Sequence, residues 1–168
     1  MTVPASLIIR PATPDDAPLI VTFIRALAAY ERLEQYVTVT EQGVRDALSG
    51  PHPATEALVA ETDGEPVGYA FFFHTFSTFL GQRALYLEDL FVVPEARSQG
   101  IGQALLGRVA QIALERGCGR VEWAVLDWNA PAIRFYHRLG AQPIEGWTVY
   151  RLSGPAMART GRLGPEGA

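Results

Sequence analysis

Residues 86–106 have the sequence YLEDLFVVPEARSQGIGQALL, which begins like a β-strand and ends like an α-helix. The apolar residues before Pro94 are typical of a buried strand, and proline ends it because it cannot donate a hydrogen bond to a neighbouring strand. Further along, apolar side chains recur at Leu105, Val109 and Ile112, a spacing that indicates an amphipathic helix. The segment therefore predicts a strand, a glycine-containing turn and a helix in direct succession.

The turn in this segment has the pattern Arg-x-x-Gly-x-Gly, formed by Arg97, Gly100 and Gly102. Backbone N–H groups at the start of a helix lack partners within the helix, and the helix dipole is positive there, so the turn suits a phosphate. Glycine lets a phosphate approach the backbone closely because it has no Cβ. The pattern differs from the Walker loop and from the dinucleotide fingerprint, whose third glycine would fall at Leu105. Taken alone, the glycine pair is equally consistent with a tight turn.

The composition indicates one globular domain of 168 residues, with 48% hydrophobic and 19% charged residues. The net charge of −4 argues against a nucleic-acid partner, which usually meets a basic surface. Cys118 is the single cysteine, which excludes an internal disulfide and suits a reducing compartment. Because the sequence shows neither a signal peptide nor an apolar run of membrane-spanning length, we expect a cytoplasmic protein with no membrane partner.

The rest of the chain reads as strands and helices in the order β-α-α-β-β-β-α-β-α-β. Strands are predicted at 7–10, 57–61, 67–73, 84–93, 121–126 and 147–152, with a hairpin at Asp63-Gly64 and a connection at 75–83. Helices are predicted from Thr13, from Thr40 to Leu48, from the glycine turn to Arg116, and from Asn129 to Leu139. This order predicts an α+β fold over residues 1–152, with one central mixed, mostly antiparallel sheet and helices on both faces. Residues 153–168 are predicted to be a flexible C-terminal tail.

The glycine turn, following a strand with an acidic pair, resembles the acetyl-CoA loop of the GNAT superfamily of N-acetyltransferases. The segments LDWNAPAIRFY (126–136), LGAQ (139–142) and EGW (145–147) are similar to the spermidine/spermine acetyltransferases and their thialysine-acetylating relatives. RPAT (10–13) and Tyr30-Glu31 also match that subgroup. The resemblance extends over nearly the whole chain up to position 152, and the predicted order of elements is that of the GNAT fold.

The resemblance implies that acetyl-CoA is the co-substrate. The edge of the central strand would pair with the pantetheine amides, the glycine turn would hold the pyrophosphate, and Tyr136 would act as general acid toward the CoA sulfur. Contacts with the co-substrate are thereby expected from Leu90, Phe91, Val92, Arg97, Ser98, Gln99, Gly100, Ile101, Gly102, Gln103, Asn129, Ala132 and Tyr136. On its own, a tyrosine on a helix next to Phe135 is more typical of a packing residue.

Glu88 is the candidate general base. An alkylamine has a pKa of about 10.4, so producing its neutral form at pH 7 costs about 4–5 kcal/mol, and a nearby carboxylate could take the proton directly or through water. An acidic pair within an apolar strand is costly unless it is paired or functional. Ordinary salt bridges are the alternative for Glu88, and a structural role is at least as plausible for Asp89, which strand alternation would place on the opposite face.

The amine is expected to contact Tyr30, Glu31, Glu34, Glu88, Asp89 and Trp128. Tyr30 and Glu31 match a tyrosine–glutamate pair that contacts the amine in the resembled subgroup. Glu31 and Glu34 would share a helix face if the first helix continues through both, and two carboxylates there would suit a diamine or a long basic side chain. A solvated helix end is the alternative. Trp128 is either a core residue or a wall of the substrate site.

These observations predict direct acetyl transfer to the primary amine of a small molecule. Polyamine-acetylating members carry an acid before the central strand where this chain has FSTF (76–79), which favours a lysine analogue over spermidine. The alternatives are acetylation of a protein N-terminus or lysine, and a non-catalytic acyl-CoA sensor. The three histidines show no metal-ligand spacing, so no metal is predicted. A homodimer is expected from the resemblance.

Overall fold

The computed structural model describes residues 3–164 of the protein. The chain divides into two compact units, with the boundary between Leu126 and Asp127. The first unit contains all the strands of the sheet, together with the glycine turn.

The sheet of the first unit has five strands in the order β1-β2-β3-β4-β5. Neighbouring strands are antiparallel except β4 and β5, which are parallel, so the predicted mixed, mostly antiparallel sheet is confirmed. The strand bounds are β1 Ile8–Pro11, β2 Glu56–Thr62, β3 Glu65–Ser77, β4 Gln82–Val92 and β5 Val121–Glu122.

Three helices belong to the first unit: α1 Ala17–Glu31, α2 Glu41–Ala47 and α3 Ile101–Glu115. The chain enters α1 through a short 3₁₀ turn that begins after Thr13, whose backbone N–H donates to Asp16 Oδ2 at 2.7 Å. Arg10 on β1 donates to Asp16 Oδ1 at 2.8 Å, which holds the pKa of that carboxyl down at about 2. The predicted helix start at Thr13 is confirmed, and it is tied to the first strand.

Helices pack on both faces of the sheet. On one face α1 and α2 form a buried cluster with β2, β3 and β4, made of Ala17, Ile20, Val21, Phe23, Val44, Ala57, Tyr69 and Phe91. On the other face α3 buries Ile101, Leu105, Leu106, Val109, Ile112 and Ala113. The side chain of Val92 points toward α3, since a Cβ placed on Gly102 of that helix would lie 3.8 Å from Val92 Cγ2. Because Phe91 and Val92 are successive strand residues, they point to opposite faces, which agrees with one helix layer on each.

Two strand predictions are corrected. Residues 75–83, predicted as a connection, mostly extend β3 and β4, because the ladder continues as far as the pair Ser77–Gln82 and leaves only 78–81 as the turn. The strand predicted at 121–126 is shorter, since β5 pairs with β4 at only two positions. Phe76 and Phe79 are exposed near the tip of the long hairpin, so backbone pairing and not burial extends these strands.

The second unit contains α4 Ala130–Arg138 and α5 Gly154–Gly161. The predicted helix start at Asn129 is confirmed, because its side-chain oxygen accepts a hydrogen bond from the Ala132 N–H at 3.3 Å. The strand predicted at 147–152 is absent from the described residues, where this segment is irregular and exposed. A strand needs a ladder partner, and its apolar residues alone do not supply one. The helix α5 stands where an irregular tail was predicted, with Pro155 in its first turn.

Candidate active site

The strands β4 and β5 separate within the sheet. They pair only at Leu85–Val121 and Tyr86–Glu122, so residues 87–92 of β4 have a strand neighbour on the β3 side alone within the described part of the chain. Backbone groups along such an edge can pair with an extended ligand. This is the same edge on which the sequence placed Leu90, Phe91 and Val92 as partners of pantetheine.

The glycine turn directly follows this edge. Gly100, the residue before α3, has φ 78°, which is a left-handed conformation that favours glycine. The first N–H groups of α3, from Ile101 to Gln103, have no partners within the helix, because the ladder begins with the Ala104 N–H donating to the Gly100 carbonyl. At Gly102 an alanine Cβ would make only an ordinary contact inside the protein, so internal packing does not require glycine there.

Arg97 lies between the turn and the end of α1. Its Nε donates to the Val92 carbonyl at 2.9 Å. Its guanidinium lies 4.8 Å from the centre of the Tyr30 ring and 5.7 Å from that of Phe91, within the range of a cation–π contact. The predicted co-substrate residue Arg97 thereby brings the predicted amine residue Tyr30 next to the end of β4.

Glu88 is the extra residue of a β-bulge in β4. Phe71 pairs with Asp89 and Phe72 with Leu87, so no residue of β3 is opposite Glu88. The expectation that Glu88 and Asp89 alternate between faces therefore fails, because alternation holds only for a regular ladder. Glu88 is exposed, whereas Asp89 is half-buried on the face that packs against α1.

The charges of three carboxylates in the first unit, Glu31, Glu88 and Asp89, act on Tyr69. The Tyr69 hydroxyl donates to Asp89 Oδ2 at 2.8 Å. Burial raises the pKa of Asp89, and the charge of Glu88 raises it further, while the Tyr69 hydrogen bond opposes both. Burial also raises the pKa of Glu31, with a smaller contribution from the charge of Asp89. Within residues 3–164 no arginine or histidine forms an ion pair with any of the three acids.

Glu34 does not share a helix face with Glu31. The helix α1 ends at Glu31, and Arg32 adopts a left-handed conformation with φ 61°. The Leu33 N–H then donates back to the Ala28 carbonyl at 2.8 Å, which turns the chain away from the helix axis. Glu34 begins a separate 3₁₀ turn and is exposed, so the helix-spacing argument for the pair is wrong.

The second unit holds the other predicted site residues. Asn129 is buried and caps α4, so its side chain has a structural partner in Ala132. Tyr136 is half-buried on α4, with its ring centre 5.2 Å from that of Phe135. Trp128 is 52% exposed, which excludes the core alternative for it. The roles of these residues toward acetyl-CoA and the amine stay predictions.

Sequence reasoning missed Tyr69. Tyr69 stands in the nearly all-apolar run 69–73 of β3, which neighbours the strand that carries the acidic pair. A buried tyrosine hydroxyl needs a hydrogen-bond partner, so one polar tip in an apolar strand beside two acids was a usable signal.

No group of three or more His, Cys, Asp and Glu side chains in residues 3–164 is arranged to hold a metal ion. None of the helices in that range is both long and apolar enough to cross a membrane.

The chain matches known acetyltransferases in sequence and in fold. The family model of the acetyltransferase (GNAT) family matches residues 22–141. A thialysine N-epsilon-acetyltransferase of Sus scrofa is 42% identical over 164 residues, covering 91% of this chain and 96% of that protein. The L-ornithine N5-acetyltransferase NATA1 of Arabidopsis thaliana is 31% identical over 200 residues, covering 92% of this chain and 88% of that protein. The solved structure of the integron cassette protein VCH_CASS6 from the mobile metagenome of V. cholerae has a TM-score of 0.78 at 25% identity, covering 94% of this chain and 98% of that chain.

A mixed sheet whose central strand separates from its parallel neighbour, followed by a glycine turn that opens a helix, is the GNAT fold. The chain belongs to the GNAT family of acetyltransferases. It is an N-acetyltransferase, and members of this family use acetyl-CoA as the acetyl donor. The resemblance inferred from the motifs, including the thialysine-acetylating subgroup, is confirmed.

Proposed function

We propose that this N-acetyltransferase transfers the acetyl group of acetyl-CoA directly to a primary amine of a small molecule, with lysine analogues and ornithine as the favoured substrates. The observation that carries the proposal is the 42% identity to a thialysine N-epsilon-acetyltransferase over 91% of the chain. The ornithine N5-acetyltransferase among the relatives has a substrate of the same kind, a short chain that ends in a primary amine.

The acids of the first unit suit a cationic substrate. Glu31, Glu88 and Asp89 lie close enough for their charges to influence the pKa of Tyr69, and none of them forms an ion pair within the described residues. Carboxylates drawn together without a cation repel one another, and an ammonium group relieves that repulsion. Within the first unit we assign amine binding to Glu31 and Asp89, with Tyr30 and Glu34 as further contacts. Trp128 of the second unit is assigned separately as a contact of the amine.

Proton transfer from the amine is assigned to Glu88. The bulge exposes this carboxylate to solvent beside the free edge of β4, where it can accept a proton directly or through one water. When bound, acetyl-CoA supplies an activated thioester and a thiolate leaving group. Tyr136 is assigned as the general acid that protonates the departing sulfur.

The backbone of the first unit fits the co-substrate. The edge of Leu90, Phe91 and Val92 has backbone groups available on the side away from β3, and the turn from Arg97 to Gln103 presents N–H groups that the helix leaves without partners. Asn129 and Ala132 at the start of α4 are assigned as further contacts. We infer that the protein is cytoplasmic. We also infer that it forms a homodimer, and light scattering on the purified protein would test this assembly.

A panel of amines tests the proposed function, with release of free CoA thiol as the readout. Thialysine, lysine, ornithine, spermidine and an N-terminal peptide are each incubated with acetyl-CoA and the enzyme. We expect thialysine and ornithine to give the highest kcat/KM and spermidine a lower value. Turnover of the peptide alone would replace this proposal with protein acetylation, and acetyl-CoA binding without any turnover would indicate a sensor.

The sequence offers a clean control for protein acetylation. The sequence contains 14 arginines and no lysine, so the enzyme has no lysine side chain of its own that could be acetylated. Any acetyl-lysine detected in a mixture of enzyme, acetyl-CoA and a candidate protein therefore belongs to the candidate.

A further inference from the structure

Tyr69 is held rigidly beside the acidic pair of β4. It pairs with Phe91 across the ladder, while Asp89 pairs with Phe71, so Tyr69 and Asp89 are diagonal neighbours on one face of the sheet. The side chain of Tyr69 is 0% exposed, and its ring stacks on Phe23 with the centres 5.5 Å apart and the planes 16° apart. Packing therefore fixes the position of the ring, and the ring in turn fixes the position from which the hydroxyl donates to Asp89.

The Asp89 carboxylate depends on this hydroxyl. Three titratable groups face it: Tyr69 from β3, Glu88 from β4 and Glu31 from the end of α1. Burial and the charge of Glu88 disfavour its ionised form, and the hydrogen bond from Tyr69 at 2.8 Å favours it. Since no cation forms an ion pair with Asp89 within residues 3–164, Tyr69 is the protein group that supports its charge.

The second oxygen of the carboxylate is available to a ligand. Tyr69 donates to Oδ2, and no donor among the described residues binds Oδ1. In the same part of the chain no buried side-chain oxygen lacks a hydrogen-bond partner, so Oδ1 must reach solvent. A carboxylate anchored through one oxygen and open at the other is arranged to accept a hydrogen bond from an arriving ammonium.

We propose that Tyr69 is a positioning residue for amine binding, whose hydroxyl keeps the Asp89 carboxylate ionised and oriented toward a protonated amine. The inference rests on the proposed function, in which Asp89 contacts the amine. It adds that the enzyme prefers amines that arrive as cations, and that this preference depends on a residue that does not touch the substrate.

The test is Tyr69→Phe, which removes one hydroxyl and keeps the ring. We expect the KM for thialysine at pH 7 to rise about tenfold, the size of one lost charge-assisted hydrogen bond. The acetyl-CoA dissociation constant and kcat should change by less than about twofold. The rise in KM that follows protonation of Asp89 at low pH should begin at a higher pH in Tyr69→Phe than in the unmodified enzyme, because without the hydrogen bond the pKa of Asp89 is higher.

Two further variants separate positioning from a merely structural effect. If Tyr69 acts through Asp89, the double variant Tyr69→Phe/Asp89→Asn should bind thialysine no worse than Asp89→Asn alone. Tyr86→Phe removes a hydroxyl from a half-buried tyrosine of β4 and should leave the KM unchanged. An arylamine that is neutral at pH 7 should show no KM change in Tyr69→Phe.

The outcomes are distinguishable. KM does not depend on how much of the enzyme is folded, so partial loss of folded protein cannot imitate the expected result. Additive effects in the double variant, a pH dependence of KM that is the same in both proteins, or an unchanged KM would overturn the role of Tyr69. If the unmodified enzyme acetylates no small amine, the proposed function itself has failed.

Discussion

The two halves of β4 differ in what surrounds them. Residues 82–86 pair with β3, and within them Leu85 and Tyr86 also pair with β5 on the other side. Leu85 is fully buried, and its N–H donates to the Arg120 carbonyl at 3.1 Å. Residues 87–92 keep only β3 as a neighbour, contain the bulge and carry both acids. A strand paired on both sides uses its backbone for stability, whereas one paired on one side keeps backbone groups and acidic side chains available to ligands. One continuous strand thus serves both purposes.

The largest effect on activity should come from changing Tyr136, which is the proposed general acid, whereas the proposed general base lies on β4. Tyr136→Phe keeps the ring and should lower kcat by about 10²–10⁴-fold, nearer the lower end because a thiol of pKa about 8.5 leaves readily. Steady-state kinetics measures the fall, and calorimetry should show little change in acetyl-CoA affinity. Tyr86→Phe, in the paired half of β4, is the matched control and should retain full activity. A kcat above half the normal value would make Tyr136 a packing residue.

Leu85→Ala breaks the paired half. Truncating this fully buried side chain should lower the free energy of unfolding by about 2–5 kcal/mol. Urea denaturation measures the loss, and the protein that remains folded should keep its acetyl-CoA affinity. Leu90→Ala in the other half removes a half-buried side chain and should cost less stability. Equal stability losses would mean that the two halves do not differ as described.

Glu88→Gln tests the free half. Loss of the proposed base should lower kcat/KM about 10²-fold at pH 7, and less at pH 10, where more of the amine is already neutral. A pH series from 7 to 10 measures this. Glu122→Gln is the matched control, because Glu122 pairs with Tyr86 in the other half and binds Arg120 at 2.9 Å. A loss that is uniform across the series would assign Glu88 to substrate positioning.

Gly102→Val tests the turn after β4 and should have the smallest effect. A branched side chain there would hold a pyrophosphate away from the backbone and weaken acetyl-CoA binding at least about tenfold. Calorimetry measures the affinity. Gly107→Val lies on the same helix, where an added Cβ meets nothing within 4 Å, and should bind normally. Unchanged affinity in a folded Gly102→Val protein would remove the turn from the site.

Local signals predicted much of the fold. The hairpin at Asp63-Gly64 needs two residues with positive φ, and they have φ 53° and 82°. The start of α4 was predicted from the capping side chain of Asn129, which makes the expected hydrogen bond. Each of these features is determined by a few neighbouring residues, so a single sequence is enough to find it.

The features that escaped prediction depend on partners distant in sequence. The bulge at Glu88 arises from how β4 registers with β3, and nothing in the residues around Glu88 announces it. Arg97 was expected to lie beside a phosphate, and its observed partners are Tyr30, Phe91 and Val92 on other elements. The segment 147–152 has the composition of a strand, but it has no partner strand among residues 3–164. The prediction failed because the composition of a segment does not show whether a partner strand exists.

The bulge makes Glu88 an insertion in an otherwise regular strand. Leu87 pairs with Phe72 and Asp89 with Phe71, so a chain lacking Glu88 would still alternate correctly and keep Leu87, Asp89 and Phe91 on their present faces. Deleting a residue from the middle of a regular strand would turn every later side chain to the wrong face. At this position a one-residue deletion removes a carboxylate and spares the core, so gain or loss of the proposed base is a small evolutionary step for this sheet.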